Sequence, residues 1–220
     1  MYQFHNIMDV IHGRNVWEDI GTFTKREGLP PGWGDITPVF NRILDEGPPP
    51  KLIVEVGSWL GRSALAMHKV LEERGMGAPI ICVDTWLGSP EMWVNKHHVD
   101  RWPPLKMHMG RPQCYFDFIL NVKANGAHTR IIPLSMDSLA ASVAMDFWHI
   151  DPSHVFIDGS HYDLAVRADL NAWWRSNRVL FGDDWAEEEG WPAIKRQVGK
   201  FFVEHNKNIR VDDRYWWVMP

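Results

Sequence analysis

Cysteine is scarce in this chain. Cys82 lies in an apolar run and Cys114 in a mixed segment, with no CxxC motif. That argues for a reduced, cytoplasmic chain in which neither thiol is set up as a nucleophile. Basic residues are also in deficit: 23 Lys and Arg against 28 Asp and Glu leave a formal charge of −5. With no basic stripe, a nucleic-acid surface is not expected. No apolar stretch approaches the roughly 20 residues that span a bilayer, so no membrane partner is expected. The opening "MYQFHNIMDVIHGRNVWEDIG" carries acids and histidines where a secretion signal has an apolar centre, so none is expected. Internal repeats and low-complexity segments are missing, and so is the G-x-G-x-x-G fingerprint of a dinucleotide site.

What is present is enough apolar residue, 45% of 220, for one sizeable core. Thirteen tryptophans are many for this length. They fit core positions, contacts between copies of the chain in a homo-oligomer, or flat walls for a ring-shaped substrate. Trp185, Trp86 and Trp93 are assigned to such walls; the doublets Trp173–Trp174 and Trp216–Trp217 are assigned to core or subunit contact.

"GPPPK" (47–51) punctuates the chain. It separates a leader, residues 1–50, from a main domain, residues 51–220. The leader holds one expected helix, Thr37–Glu46, with Thr37 as cap and Pro38 at the first helical position. Beyond it, apolar runs alternate with helical patterns. "KLIVEV", "APIICVD", "RIIPL", "HVFID" and "RVLFGD" read as buried strands. "GRSALAMHKVLEERG" (61–75) and "DLAVRADLNAWWRSN" (163–177) read as helices, the second with Leu164, Ala168, Leu170 and Trp174 inward. A helix near Pro192–His205 and two strands, "NIRVD" and "RYWWVM", complete the tail. Seven strands separated by helices predict an α/β, Rossmann-like, doubly wound and mostly parallel sheet. Thr85–Pro112 is too long for an ordinary connection and is rich in Trp, Met, His and Pro, so it is read as a lid insertion.

The strand ends carry the chemistry. "EVGSWLGRS" puts Glu55, Gly57, Ser58, Gly61 and Ser63 at the first strand-to-helix turn, where glycines let the backbone approach a ligand and a helix start offers N–H groups to an anion. A tight turn with no ligand would look the same. The second strand ends at Asp84, where a doubly wound fold binds a ribose. Asp137 and Ser138 follow the third. "FIDGSHYD" ends the fourth with Asp158 and His161, and "FGDDW" ends the fifth with Asp183 and Asp184. Neighbouring strands are about 4.8 Å apart, so these carboxylates can converge. Converging, they repel and raise one another's pKa unless a cation intervenes. Oxygen donors without thiolates favour Mg²⁺, or Ca²⁺ or Mn²⁺, over zinc. Caps for the turn and the following helix are the plainer reading of the same acids.

"VEVGSWLGRS", "ICVDTW", "MDS", "FIDGSHYDLAVRADLNAW" and "LFGDDW" together resemble the class I S-adenosylmethionine (SAM)-dependent methyltransferases, over residues 51–205. Within them the chain looks most like the macrocin O-methyltransferase-like enzymes that methylate sugars. The resemblance implies that Glu55, Gly57, Ser58 and Ser63 border the methionine end of SAM, that Asp84 holds the ribose, and that Asp137 lies by the adenine. It further implies that Asp158, Asp183 and Asp184 hold Mg²⁺ and that His161, three residues past Asp158, is the general base. The expected reaction is methyl transfer to a hydroxyl of a small-molecule acceptor, a sugar or polyol. A nucleoside-binding protein without catalysis and an NAD-linked oxidoreductase are the alternatives. His97, His98 and His108 fall in the lid, His149 and His154 are read as structural, and "AEEEG" (186–190) as a solvated acidic turn.

Overall fold

The computed structural model describes residues 3–20, 29–94, 102–185 and 192–220. Its centre is a seven-stranded sheet. The strands are β1 (Ile53–Val56), β2 (Ile80–Asp84), β5 (Ile131–Ser135), β6 (His154–Ile157), β7 (Val179–Gly182), β8 (Arg210–Asp212) and β9 (Tyr215–Val218), ordered β5-β2-β1-β6-β7-β9-β8. The first five pair in parallel, and β9 runs antiparallel to both β7 and β8. β1, β6 and β7 are buried at every position, which is what an apolar run without alternation means in a sheet covered on both faces.

The winding reverses between β1 and β6. One half leaves β1 through α3 (Arg62–Glu73) to β2 and then through α5 (Gln113–Ala124) to β5. The other half returns through α6 (Ser138–Phe147) to β6 and continues through α7 (Asp163–Trp173) to β7 and α8 (Pro192–Glu204) to β8. Right-handed crossovers put the two sets on opposite faces. In sheets wound this way, ligands enter at the carboxyl edge where the winding reverses. Asp84, Asp158, Asp183 and Asp184 lie at that edge, and Asp137 and Ser138 follow the carboxyl end of β5 at the start of α6.

Several expectations need correction. Thr37 does not cap its helix: α2 (Thr37–Glu46) is preceded by Ile36, and the Asp35 carboxylate accepts the Thr37 N–H at 3.0 Å. α7 turns a different face inward. Val166, Leu170 and Trp173 are buried at i, i+4 and i+7, whereas Leu164 is 88% exposed and Trp174 is half-buried against Phe202. The leader holds a helix that its sequence did not announce, α1 (Phe4–His12), and a 3-10 turn over Val16–Asp19. Both sit against the edge strand β5. Trp17 Nε1 donates to the Ile131 carbonyl at 3.0 Å and His12 Nε2 lies 2.8 Å from that of Pro133, which satisfies groups an uncovered edge would expose.

The described parts of 85–112 comprise α4 (Pro90–Trp93), a 3-10 turn at Pro103–Leu105, and a hairpin of β3 (Met107–His108) and β4 (Arg111–Pro112). His97, His98 and the "AEEEG" run lie outside the described residues. Cys82 and Cys114 are both buried, and burial raises both thiols well above their usual range, as inert cysteines require.

Candidate active site

Gly57 fixes how closely the two halves of the sheet meet. Its φ is +89°, and a Cβ there would lie 2.0 Å from the Asp158 carbonyl oxygen. Only glycine fits, so β1 and β6 deliver their ends to one place. The turn then runs through Trp59 (φ +46°) to Gly61, which opens α3. Asp84 organises it: Oδ2 accepts the N–H groups of Ser58 (2.9 Å) and Trp59 (2.8 Å), and Oδ1 accepts that of Trp86 (2.7 Å). Burial raises the Asp84 carboxyl, against the pull of those amides.

Glu55 is fully buried beneath the turn, takes a 2.6 Å hydrogen bond from the Ser63 hydroxyl, and is pushed up to about 7 by burial. Among the described residues, its Oε2 and the Ser58 Oγ are buried with no hydrogen-bond partner of good geometry. Unsatisfied polar atoms at such depth are costly, and they mark where a polar ligand group would be welcome.

A cavity of about 970 Å³ opens over these strand ends. Gly57, Ser58, Ser63, Asp84, Asp137, Ser138, Asp158, His161, Asp183 and Asp184 all line it. Gly61 and Glu55 are behind the wall. Asp137 caps α6, accepting the Leu139 and Ala140 N–H groups at 3.1 and 3.0 Å. Ser138 Oγ accepts the Trp173 indole N–H at 2.8 Å.

The acidic end differs from the expected ligand set in one member. Asp158, His161 and Asp184 offer donor atoms that all lie within 4.8 Å of one another. His161 Nε2 is 2.6 Å from Asp184 Oδ2. Asp183 instead faces Arg214, whose Nε donates to its Oδ1 at 2.5 Å, while Nη2 of the same guanidinium reaches Asp184 Oδ1. The cation beside the doubled aspartate is thus supplied by the protein. Burial, then the charges of Asp183, Asp184 and Glu55, raise Asp158 well above the carboxylate range, and burial pushes Asp183 up to about 6. The two carboxylates offer the oxygen donors that Mg²⁺ or Mn²⁺ prefers, with the His161 imidazole beside them.

Three wall residues were not legible in the sequence. Arg214 sits in the β8–β9 turn, within a run that reads as plain strand. Asp169 is buried on α7 and pushed up to about 6 by burial; a single acid beside Leu170 on the inward face is the signal that was there. Trp33, from the leader, is paired with Trp102 at 5.9 Å. The tryptophans first assigned to walls are elsewhere. Trp86 is fully buried, with its indole N–H on the Trp59 carbonyl at 2.9 Å and Phe118 packed against it. Trp185 packs on the core. Trp173, Trp216 and Trp217 are core, as expected.

A reversed-winding parallel sheet with a glycine turn, an acid on the second strand and a roomy crevice defines a Rossmann-like enzyme for a nucleoside-bearing cofactor. The family follows from a sequence match: residues 54–185 fit the methyltransferase domain family, and the chain belongs to it. It is a SAM-dependent methyltransferase. Solved structures of the same fold include the SAH-bound methyltransferase PaMTH1 of Podospora anserina, 15% identical, covering 82% of this chain and 75% of that one, with a TM-score of 0.51. Cofactor-bound Rv0187 from MTB is 13% identical over 89% and 83%, with a TM-score of 0.52. A putative caffeoyl-CoA O-methyltransferase from Staphylococcus aureus is 6% identical over 87% and 86%, with a TM-score of 0.55. No curated protein sequence matches the chain. Among the described residues, no helix is long and apolar enough to cross a membrane.

Proposed function

We propose that the protein is a divalent-metal-assisted O-methyltransferase acting on a hydroxyl of a small molecule, a sugar or polyol-like acceptor, in the manner of the macrocin-like enzymes it resembles. The observation that carries this reading is the meeting of Asp158, His161 and Asp184 on the wall of the same cavity as the Gly57–Ser63 turn. At about 970 Å³ the cavity is near the top of the ~300–1,000 Å³ range of ligand sites, with room for cofactor and acceptor together. SAM supplies the methyl group; Mg²⁺, when bound, lowers the pKa of the acceptor hydroxyl as a Lewis acid.

The chain's own residues do the rest. The Gly57–Ser63 turn, braced from beneath by Glu55, holds the cofactor at one end together with Asp84 and Asp137. Asp158 and Asp184 hold the ion at the other. His161 takes the acceptor's proton, and the Asp184 carboxylate 2.6 Å away orients the ring and stabilises it once protonated. Trp33 and Trp102 offer aromatic faces to a ring-shaped acceptor.

His161→Ala should lower kcat by about 10²–10⁴-fold while SAM affinity is unchanged by calorimetry. Asp158→Ala should abolish transfer and leave SAM bound. Turnover at the wild-type rate in a chelator would rule out the ion.

A further inference from the structure

Asp169 is a buried acid with no counter-charge. It sits on the inward face of α7, is 5% exposed and lines the cavity, so what remains of its surface faces the ligand space. Among the described residues, the fold gives it one proton donor, the Ser138 hydroxyl. That hydroxyl's oxygen is itself taken by the Trp173 indole N–H at 2.8 Å. A carboxylate has about four lone-pair sites, so a single donor leaves most of them unserved. The one charge that bears on Asp169 is that of Asp137, another acid. A buried carboxylate in that state costs stability, and a donor brought by a ligand would offset the cost.

SAM carries donors in three places: the methionine ammonium, the ribose hydroxyls and the 6-amino group of adenine. The methionine end is expected over Glu55 and Ser58, and the ribose at Asp84, whose oxygens already hold three backbone N–H groups. Asp169 belongs to a different stretch of wall. Ser138 opens α6 beside Asp137, and Met136, Leu139, Ala165 and Ala168 line the cavity around them. Two alanines at i and i+3 on α7, opposite apolar side chains, leave room for a flat ring.

We propose that Asp169 is a specificity-determining residue of the cofactor site: its carboxylate accepts a hydrogen bond from the 6-amino group of adenine, beside Asp137, and selects adenine over a base with a carbonyl at that position. The role needs the SAM cofactor alone and is independent of the ion and the acceptor. A carboxylate that merely held Ser138 in place would be indifferent to the base.

Calorimetry on the full chain at about pH 8, where carboxylates are ionised, separates the two. The probes are SAH and S-inosylhomocysteine, in which a carbonyl oxygen replaces the amine. Wild type should bind SAH about a hundredfold or more tightly than S-inosylhomocysteine, because an acceptor would then face the carboxylate. Asp169→Asn can turn either its oxygen or its N–H₂ toward the base. It should bind SAH about tenfold or more weakly, yet bind S-inosylhomocysteine at least as well as wild type does. Weakening of both compounds by the same factor overturns the proposal and leaves Asp169 as a brace for Ser138. Binding of the two by wild type within about threefold of each other overturns it without any variant. Should Asp169→Asn fail to fold, Asp169→Ser decides: the preference for SAH falls by about tenfold or more if the proposal holds, and is retained if it does not. Binding of neither compound by folded wild type sinks both the assignment and the cofactor reading it rests on.

Discussion

Gly57 and Asp158 are 101 positions apart in the chain and in contact through bare backbone. A methyl group at Gly57 would have to pass through the Asp158 carbonyl, and its φ of +89° is strained for any other residue. Gly57→Ala should therefore cost about 3 kcal/mol or more, since neither a fixed strand end nor its neighbour's backbone can give way. Thermal melting and SAH calorimetry would both register it; a melting point within a degree or two of wild type would show that the two strand ends are looser than described. Asp183 and Asp184 make a second point at this scale. They are adjacent and identical, and they differ in which partners reach them and in backbone, Asp184 alone having a positive φ, +62°. Sequence could identify the pair as wanting a cation, but it could not distinguish an ion from a side chain that arrives from residue 214.

At the scale of elements, α7 shows how one helix serves two ends. Its Val166, Leu170 and Trp173 stripe faces the core, while Ala165, Ala168 and Asp169 border the cavity. Leu170→Ala should cost about 2–5 kcal/mol in urea unfolding, whereas Leu164→Ala, on the solvent side, should stay within about 0.5 kcal/mol. Equal costs would mean that the inward face is misassigned. The parallel strands were legible because strands covered on both faces are predominantly apolar, and β1, β2, β5, β6 and β7 are, apart from Glu55 and His154 and the terminal Asp84 and Ser135. α5 was not, because its pattern is blurred by Asn121, a buried polar residue whose amide N–H reaches the Leu60 carbonyl at 3.0 Å. α1 and the 3-10 turn after it were missed for a related reason. They are secured by His12 and Trp17 bonding to an edge strand more than a hundred residues away, and local periodicity carries no record of that.

Across the whole molecule, buried titratable groups set opposite limits on stability. His154, at the start of β6, is fully buried, and burial lowers its pKa from 6.5 to about 4. The unfolded chain then takes up that proton before the folded one does, so stability falls as pH drops from about 6.5 toward about 4. Glu55 works the other way. Burial raises it from 4.5 to about 7, so the folded state holds a proton the unfolded state has already lost, and stability declines as pH rises through about 7. Asp169, raised by burial from 3.8 to about 6, adds a decline of the same sign that is complete by about pH 6. Between about pH 4.5 and 6.5 the His154 gain and the Glu55 loss therefore oppose one another, and removing either group exposes the other. Glu55→Gln keeps the shape and the Ser63 contact but removes the ionisation. It should gain on the order of 2 kcal/mol over wild type at about pH 8 and nothing at about pH 4, as measured by urea unfolding across that range. His154→Leu should flatten only the acidic limb. A decline of undiminished size in Glu55→Gln would mean the cost is borne by Asp169 and the carboxylates around Arg214 rather than beneath the glycine turn.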